Sequence, residues 1–392
     1  MNELRVAMIG HAFMGAAHSH AWRTAPHVFD LPLRPVMSVL CGRSVTGAVA
    51  DRLGWALVSS DWRDVVTRDD VDLVDICVPG YLHEPIALAA LAAGKHVLCE
   101  KPLANTLDEA GRMAAAARSS AGRAMVGFNY RRVPAVARAR ALVAEGRIGE
   151  VREVRACYLQ DWLTDPSAPW TWRMSAAEAG SGALGDIGSH IIDLTQHLTG
   201  SLITGVSAIG ATFTRARPGG EVTVDDAVMF TARLSSGALA SFEASRVATG
   251  RKNALRVELY GTEGSLAFDL ERLNELIVCD RRVLVTEPGD PYLDAWWPPG
   301  HVLGWDATFV HQVRDLVTGI ASGAELSPSF ADGLQVQRVL DAVARSAGNS
   351  SMWSLAEEEL NVASVHFVHR PVGRPSARGR LPARQRVGLR RS

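Results

Sequence analysis

A glycine-rich turn near the start of the chain constrains the fold more than any other feature. Residues 4–9 form a short apolar run that predicts a buried strand, and Gly10-His11-Ala12-Phe13-Met14-Gly15 follows it directly. Small residues after Gly15 predict a helix. Strand, turn and helix together match the Gly-x-Gly-x-x-Gly pattern of dinucleotide-binding turns, with alanine at the second glycine. The residues expected to cradle a pyrophosphate at the helix N-terminus are Gly10, Ala12, Phe13, Met14 and Gly15.

The same alternation of strands and helices continues to residue 128. Apolar runs near 35–41, 73–78, 95–99 and 124–128 are separated by helical patterns and short connections, which predicts a doubly wound parallel sheet. From Val151 onward the strands are longer and alternate in polarity, which predicts a large, mostly antiparallel sheet. We therefore expect an α/β fold with two domains and a tail. The expected ranges are 1–128, 129–362 and, for a basic disordered tail, 363–392.

Glu100-Lys101-Pro102 follows the strand predicted at 95–99. Pro102 has no N–H for the sheet, so Lys101 is expected at the carboxyl end of a buried strand. Open α/β sheets bind ligands at that edge. A partly buried lysine can release its proton, whereas an arginine cannot. The alternative is a lysine that merely caps the strand.

The segment 185–198, taken as one α-helix, has an apolar face and a polar face. Asp186, His190, Asp193 and His197 recur at spacings that place them on one stripe. On such a helix Asp186 would hydrogen-bond His190 and hold its tautomer, as carboxylates do for catalytic imidazoles. This spacing can also ligate zinc, but no other ligand cluster is evident, so we expect no metal. A structural role suits His197 better than His190.

Aromatic residues give a third signal. Six of the ten tryptophans fall in two loop-like stretches, beside amide, acid and imidazole groups. The first stretch holds Trp162, Trp170 and Trp172, and the second holds Trp296, Trp297 and Trp305. Tryptophan faces suit the C–H faces of a sugar, with ordinary core packing as the alternative.

Composition excludes several classes of protein. Apolar residues make up 47% and charged residues 21%, as in ordinary globular proteins. Neither a signal peptide nor a long apolar run is evident, and the five scattered cysteines fit a reducing compartment, so we expect a cytoplasmic protein without a membrane partner. From Arg370 onward there are eight arginines and no acid. Their wide spacing favours a solvated extension over a nucleic-acid partner.

The second strand bears on the choice of cofactor. It ends in Gly42-Arg43-Ser44, without the acid that NAD enzymes usually place near the ribose hydroxyls. An arginine there suits a 2′-phosphate, so Arg43 favours NADP as the preferred cofactor. Stacking of Arg43 on the adenine, or its solvation, leaves NAD open.

Jointly these motifs resemble the Gfo/Idh/MocA family of sugar and cyclitol oxidoreductases, over residues 4–360. The motifs that carry the resemblance are the glycine turn at 10–15, Pro79 with His83, Glu100-Lys101-Pro102, and Asp186 four residues before His190. Within the family, segments such as 128–132, 158–162, 172–173, 182–186 and 327–333 are most similar to members that oxidise levoglucosan or glucosides at C3.

The resemblance implies an N-terminal Rossmann domain and a C-terminal α+β domain whose sheet joins homodimers or homotetramers. It implies Lys101, Asp186 and His190 as the catalytic set. The further residues expected to bind the cofactor are Arg43, Pro79, His83, Glu100 and Lys101. Gly80 stands where the family usually has asparagine, which loosens one expected cofactor contact.

The expected reaction is oxidation of a ring hydroxyl, at C3 of a pyranose or of an anhydrosugar such as levoglucosan, with NAD or NADP. His190 would take the hydroxyl proton, and Lys101 would stabilise the developing alkoxide. The residues expected to hold the sugar are Tyr130, Gln160, Trp172, Arg173 and Asp193. An inositol dehydrogenase, a glycosidase that recycles its NAD and a non-catalytic sugar-sensing regulator remain alternatives.

Overall fold

The glycine turn lies in the first of two large sheets. A computed structural model describes residues 2–273, 275–279 and 304–356. The first sheet is six-stranded and parallel, in the order β3-β2-β1-β4-β5-β6. Its strands are β1 (Glu3–Ile9), β2 (Arg34–Cys41), β3 (Leu57–Ser59), β4 (Leu73–Ile76), β5 (His96–Cys99) and β6 (Ala124–Val126). The helices between them are α1 (Phe13–Val28), α2 (Gly47–Leu53), α3 (Trp62–Val66), α4 (His83–Ala92) and α5 (Leu107–Ser119).

The order of the strands fixes where this sheet can bind a ligand. It reverses between β1 and β4, and ligands of doubly wound sheets bind at the carboxyl ends of the strands beside such a switch point. The turn after β1 meets the residues after β4 there. A Cβ on Gly10 would lie 2.2 Å from the carbonyl oxygen of Cys77, and Gly10 has a φ of +107°. Both facts require glycine at this position.

The second sheet has eight strands in the order β15-β14-β13-β7-β12-β11-β8-β16. Its strands are β7 (Val151–Leu159), β8 (Ile203–Ala211), β11 (Ala227–Leu234), β12 (Leu239–Ser245), β13 (Ala254–Gly261), β14 (Ser265–Asp269), β15 (Leu276–Val278) and β16 (Ser354–Leu355). A separate small hairpin joins β9 (Ala216–Arg217) to β10 (Gly220–Glu221). The pairs are antiparallel except β7 with β12, which are parallel. The predicted fold class, a Rossmann-type sheet with a mostly antiparallel second sheet, is confirmed.

The helices α6 (Pro134–Ala144), α8 (Ser189–Thr199) and α10 (Phe330–Gly348) pack on the second sheet. The short helix α7 (Ala176–Ala179) contacts the turns at 80–82 and 172–174, and α9 (Ala307–Ser322) packs on α1. Apolar side chains of α8, among them Ile191, Leu194 and Leu198, are buried in the core. The other face of the sheet leaves Ile209, Met229 and Leu239 exposed.

The single α-helix predicted over 185–198 is wrong in its first turn. Leu184–Gly188 forms a π-turn, and α8 begins only at Ser189. A π-turn closes its hydrogen bonds over five residues rather than four, so side chains four positions apart no longer lie directly above one another.

Some sequence predictions lie outside the described residues. These are the basic tail at 363–392, Trp296 and Trp297. Among the helices that the structure describes, none is long and apolar enough to cross a bilayer.

Candidate active site

The turn from β1 into α1 has the geometry of a phosphate cradle. Ala12 is the N-cap of α1, and no described side chain caps the helix there or places an acid in its first turn. The first turn of such a helix directs its backbone N–H groups towards an anion, which the helix dipole also favours. Phe13 and Met14 begin the helix, and Gly15 lies so close to Gly10 that a Cβ would stand 2.3 Å from its carbonyl oxygen. These residues fit the pyrophosphate of a dinucleotide.

The other predicted cofactor residues divide into exposed and buried positions. Arg43 is exposed just after β2, and Pro79 leads into a short 3₁₀ turn after β4. His83 is buried, with ring nitrogens 2.9 Å from the Val78 carbonyl oxygen and 3.0 Å from that of Pro102. Burial lowers the pKa of His83. His83 thus braces the loops after β4 and β5, and its ring nitrogens are not turned to a ligand as predicted.

Gly80 has a local structural cause. A Cβ at this position would lie 2.1 Å from Oδ1 of Asn105, whose amide nitrogen donates to the Glu178 carbonyl oxygen. The side chain of Asn105 thus fills the space that a residue larger than glycine would need. The looser cofactor contact expected at Gly80 stays a prediction, and the space beside this glycine holds an amide from the loop after Lys101.

Lys101 lies at the carboxyl end of β5, as its sequence context predicts. Its ammonium group donates to the Asp186 carbonyl oxygen at 2.6 Å and to Asp186 Oδ1 at 3.2 Å. The other carboxylate oxygen of Asp186 accepts from Arg246 Nη2 at 3.1 Å. Arg246 is 1% exposed and also donates to the carbonyl oxygens of Gly182 and Arg173. Lys101, Asp186 and Arg246 form one hydrogen-bonded cluster, called here the lysine cluster.

The carboxylate of Asp186 stays ionised in this cluster. Burial alone would raise its pKa, but the positive charges of Lys101, Arg246 and Arg173 outweigh that effect and hold the pKa well below its ordinary value. Two cations contact one anion, so the lysine cluster carries a net positive charge. Such a charge favours an oxyanion on a bound ligand.

His190 lies beside the lysine cluster in an aromatic pocket. The side chain is 6% exposed, and its ring centroid is 4.6 Å from that of Tyr130 and 5.9 Å from those of Tyr158 and Phe128. Burial lowers the pKa of His190 well below its ordinary value, and the charge of Lys101 lowers it further, against the opposing charge of Asp186. The imidazole is therefore neutral near pH 7 and can accept a proton.

The hydrogen bond predicted between Asp186 and His190 is wrong for the part of the chain that the structure describes. Both oxygens of Asp186 face cations, and His190 contacts aromatic rings. The π-turn at Leu184–Gly188 is the physical reason, because it rotates Asp186 away from the line of His190. Asp186 orients Lys101 rather than the imidazole.

A chain of polar groups extends from Tyr130 across the carboxyl end of β7. The hydroxyls of Tyr130 and Tyr158 lie 3.1 Å apart, and Tyr158 donates to Asn253 Oδ1 at 2.7 Å. Gln160 donates to the same Asn253 oxygen at 2.9 Å and accepts from Trp162 Nε1 at 3.0 Å. Two of the predicted sugar-binding residues, Tyr130 and Gln160, thus share one network.

The remaining predicted sugar-binding residues occupy different surroundings. The Arg173 guanidinium stacks 4.5 Å above the ring of Trp172, near enough to Asp186 to lower its pKa. Asp193, by contrast, is 1% exposed and accepts a fork of hydrogen bonds from Arg131. The prediction that Asp193 holds the sugar is corrected, because its carboxylate faces Arg131. His197, on the same helix, has a pKa lowered to about 3, first by burial and then by nearby arginines.

Trp305 is buried at the start of α9. It stacks on Phe13 with ring centroids 5.8 Å apart, and its Nε1 donates to the Tyr130 hydroxyl at 3.4 Å. Trp305 therefore connects the glycine turn to the Tyr130–Gln160 network. For Trp305, the alternative of ordinary core packing is correct, because the side chain is buried.

Sequence reasoning missed Arg246, Asn253 and Tyr158 as members of the site. Tyr158 has a signal, since it lies two residues before Gln160 on an alternating strand. Arg246 has only the weak signal of a charge directly after β12. Its role depends on the parallel pairing of β7 with β12, which brings the carboxyl ends of two distant strands together.

Comparisons with known proteins agree with this geometry. Two family models match the chain: an oxidoreductase family with an NAD-binding Rossmann fold over residues 4–128, and a GFO/IDH/MocA C-terminal domain over residues 136–267. Levoglucosan dehydrogenase of Pseudarthrobacter phenanthrenivorans is 41% identical over 90% of this chain and 98% of its own length.

Solved structures are similar along nearly the same length. The crystal structure of an oxidoreductase domain protein from Kribbella flavida is 57% identical, with a TM-score of 0.84 over 91% of this chain and 100% of that one. A levoglucosan dehydrogenase in complex with NADH and levoglucosan is 42% identical, with a TM-score of 0.83 over 90% of this chain and 99% of that one. The preference for NADP expected from Arg43 finds no support in these relatives. The chain belongs to the Gfo/Idh/MocA family and is an oxidoreductase with an NAD-binding Rossmann fold.

Proposed function

We propose that this NAD-dependent sugar oxidoreductase oxidises one ring hydroxyl, at C3 of a pyranose or of an anhydrosugar such as levoglucosan, to a ketone. The observation that carries the proposal is the meeting of a paired lysine and a neutral, buried imidazole at the nucleotide-binding edge of the sheet. The 41% identical relative is a levoglucosan dehydrogenase, which supports the choice of substrate. Bound NAD supplies the acceptor for the hydride that leaves the hydroxyl carbon.

His190 takes the hydroxyl proton in this mechanism. A base must be neutral before it can accept a proton, and burial together with Lys101 keeps the pKa of His190 low. The Tyr130 ring packs against the imidazole, tilted by 37° with centroids 4.6 Å apart, and restricts its orientation. The proton moves from the substrate oxygen to the imidazole while the C–H electron pair leaves as hydride, which gives the ketone.

Lys101 stabilises the substrate oxygen as negative charge develops on it. Asp186 holds the ammonium group through its backbone carbonyl and its carboxylate, and Arg246 holds Asp186 in turn. The positive charge is therefore positioned before the reaction begins, which is the efficient arrangement for stabilising an oxyanion.

The sugar would lie against Trp172 and the Tyr130–Gln160 network. Trp172 offers an aromatic face stabilised by Arg173, and Gln160 presents an amide held by Asn253 and Trp162. The ring hydroxyls of a sugar bind to fixed hydrogen-bond donors and acceptors, and its C–H faces pack against a flat aromatic ring.

We also propose domain boundaries and an assembly. The nucleotide-binding domain would end at residue 128 and the substrate-binding domain at 362. The uncovered face of the eight-stranded sheet would join two or four copies, because Ile209, Met229 and Leu239 are 59%, 47% and 54% exposed on it. Light scattering tests this: Ile209→Glu should give a smaller particle than the wild type, and equal masses would contradict the interface.

The first experiment follows nicotinamide absorbance with the purified full chain, using NAD and NADP in parallel. The panel contains levoglucosan, glucose, methyl glucosides and myo-inositol. Substrates labelled with deuterium at C3 or at a neighbouring carbon then locate the reaction, since only the oxidised carbon transfers its label to the reduced nicotinamide. Transfer from any carbon other than C3 would contradict the proposal.

Each alternative has its own outcome in the same experiment. An inositol dehydrogenase would prefer myo-inositol over every pyranose. A glycosidase that recycles its NAD would release the aglycone of a glucoside without accumulating reduced nicotinamide. A sensor would bind the nucleotide and turn over nothing.

A further inference from the structure

A buried polar cluster lies beneath the nucleotide-binding edge, separate from the lysine cluster. Nδ1 of His18 lies 3.0 Å from both carboxylate oxygens of Asp75, and its Nε2 lies 3.0 Å from Glu100 Oε1. Trp22 Nε1 donates to Asp75 Oδ2 at 2.7 Å. The exposed fractions of His18, Asp75 and Glu100 are 2%, 0% and 5%. These three residues are called here the histidine cluster.

Proton sharing fixes the charge of this cluster. An imidazole with a carboxylate on each nitrogen donates to both when it is protonated. If the proton moves to one carboxyl group, the imidazole becomes neutral, yet the sum of the three charges is unchanged. Two acids and one protonated base therefore carry one net negative charge wherever the proton lies. Asp75 also raises the pKa of His18 well above its ordinary value, against the effect of burial.

The elements that carry the cluster meet where a dinucleotide binds. His18 is in the second turn of α1, after the glycine turn, Asp75 is in β4, and Glu100 follows β5. Glu100 Oε2 accepts the backbone N–H of Lys101 at 3.3 Å, so the histidine cluster contacts the residue proposed to face the substrate oxygen. The carboxyl ends of β4 and β5 lie on the side of the switch point away from β2 and β3.

The chemistry of the cofactor responds to charge at this place. The nicotinamide ring carries a positive charge when oxidised and none when reduced. We propose that the histidine cluster is a buried counter-charge for the oxidised nicotinamide, which makes the protein bind NAD⁺ more tightly, relative to NADH, than an uncharged cluster would. The lysine cluster, which would face the substrate oxygen, has the opposite net charge.

A metal ion is the competing occupant of this place. Ligand atoms of His18, Asp75 and Cys77 all lie within 4.8 Å of one another. The His18–Asp75 distances are those of hydrogen bonds, however, and the second nitrogen of His18 is paired with Glu100. The hydrogen-bonded cluster accounts for every ring nitrogen without an ion.

The test compares two acid-to-amide variants on one strand. Asp75→Asn removes one charge from the cluster, and Asp72→Asn removes one just before the same strand, about 10 Å away at the strand rise per residue. Asp72 pairs there with Arg5. Dissociation constants of NAD⁺ and NADH are measured by calorimetry on the full chain, without sugar. The measurements are made at about pH 6. At this pH the imidazole of Asp75→Asn, which has one carboxylate partner left, is expected to keep its proton.

The expected result is a change in a ratio. In Asp75→Asn, the ratio of the NADH to the NAD⁺ dissociation constant should fall by roughly tenfold, from the loss of one charge at close range in a partly polar interior. In Asp72→Asn the ratio should stay at the wild-type value. Equal weakening of both nucleotides would mean a structural role only, and an equal shift of the ratio in both variants would mean a general charge effect. Either result would overturn the proposal.

A second variant keeps the test decisive if Asp75→Asn does not fold. Glu100→Gln removes the other carboxylate and should lower the ratio in the same direction, so an unchanged ratio there would overturn the proposal as well. Melting temperatures of each variant report folding separately from the ratio. Nucleotide binding is measured without sugar, so this proposal can fail while the proposed sugar oxidation holds. Equally, the sugar oxidation can fail while this proposal holds.

Discussion

Two buried histidines near one sheet edge have pKa values shifted in opposite directions. His18 is 2% exposed and His190 is 6% exposed, so burial opposes the charged form of both. His18 lies between two carboxylates and has a raised pKa, whereas His190 lies among aromatic rings beside Lys101 and has a lowered pKa. The partners of a buried imidazole decide its charge. One histidine is thereby suited to hold a proton and the other to accept one.

The largest expected effect is on turnover, and it concerns His190 and the neighbouring Lys101. His190→Gln or Lys101→Met should lower kcat by about 10²–10⁴-fold, because each removes one positioned group from the proton transfer or from the oxyanion. Steady-state kinetics with the best sugar of the panel measures it. Lys95→Met is the matched control, since Lys95 precedes β5 and donates to the Arg68 carbonyl oxygen. If Lys95→Met and Lys101→Met lost the same activity, the roles assigned to Lys101 would be wrong.

The next effect concerns the arginine that holds the lysine cluster. Arg246→Met should lower the free energy of unfolding by about 3 kcal/mol, because it removes a buried charged partner of Asp186 and the hydrogen bond to the Arg173 carbonyl oxygen. Denaturant unfolding measures this change. Arg256→Met should cost less than about 1 kcal/mol, because the Arg256–Asp269 pair is partly exposed. Similar costs for both variants would contradict the description of Arg246 as a buried anchor.

A smaller effect tests the polar network that adjoins His190. Tyr158→Phe removes a hydroxyl that links Tyr130 to Asn253, so the free energy of unfolding should fall by about 1 kcal/mol. KM for the sugar should rise as Gln160 and Tyr130 lose their shared support. Tyr260→Phe, which loses a surface contact to Glu258, should change neither quantity measurably. An unchanged KM in Tyr158→Phe would mean that the Tyr130–Gln160 network does not support binding of the sugar.

The smallest effect is in the pH profile. A raised pKa keeps His18 protonated, and a lowered pKa keeps His190 neutral, so neither group changes charge between about pH 6 and pH 7. The value of kcat/KM should therefore stay nearly constant in this interval and decline only below it, where His190 takes up a proton before the substrate can give one. A decline centred on the ordinary histidine pKa of about 6.5 would mean that His190 is not shielded as described.

Local sequence signals predicted most of the nucleotide-binding part. The position of Lys101 followed from a proline that ends a buried strand, and the glycine turn followed from spacing within six residues. The roles of the residues proposed to surround the substrate depend on contacts between distant parts of the chain, which the spacing of residues does not reveal. Arg246 reaches Asp186 from another strand of a mixed sheet, and Asp193 meets Arg131 from a distant turn. His18, three residues after Gly15, carried no signal because its partners are far along the chain, Asp75 in β4 and Glu100 just after β5.

Because Leu184–Gly188 is a π-turn, the position of Asp186 depends on the number of residues in this turn as well as on their identity. Each residue of a helix turns the chain by about 100°, so deleting one residue here would rotate the remaining side chains of the turn by about that amount relative to α8. The segment could then continue as an ordinary α-helix, which is the commoner and tighter arrangement. Asp186 would leave Lys101 while His190 kept its place. A codon deletion in this turn would thus be expected to spare the fold and abolish the activity, although substitutions at Leu184 or Ile187 that conserve volume would spare both.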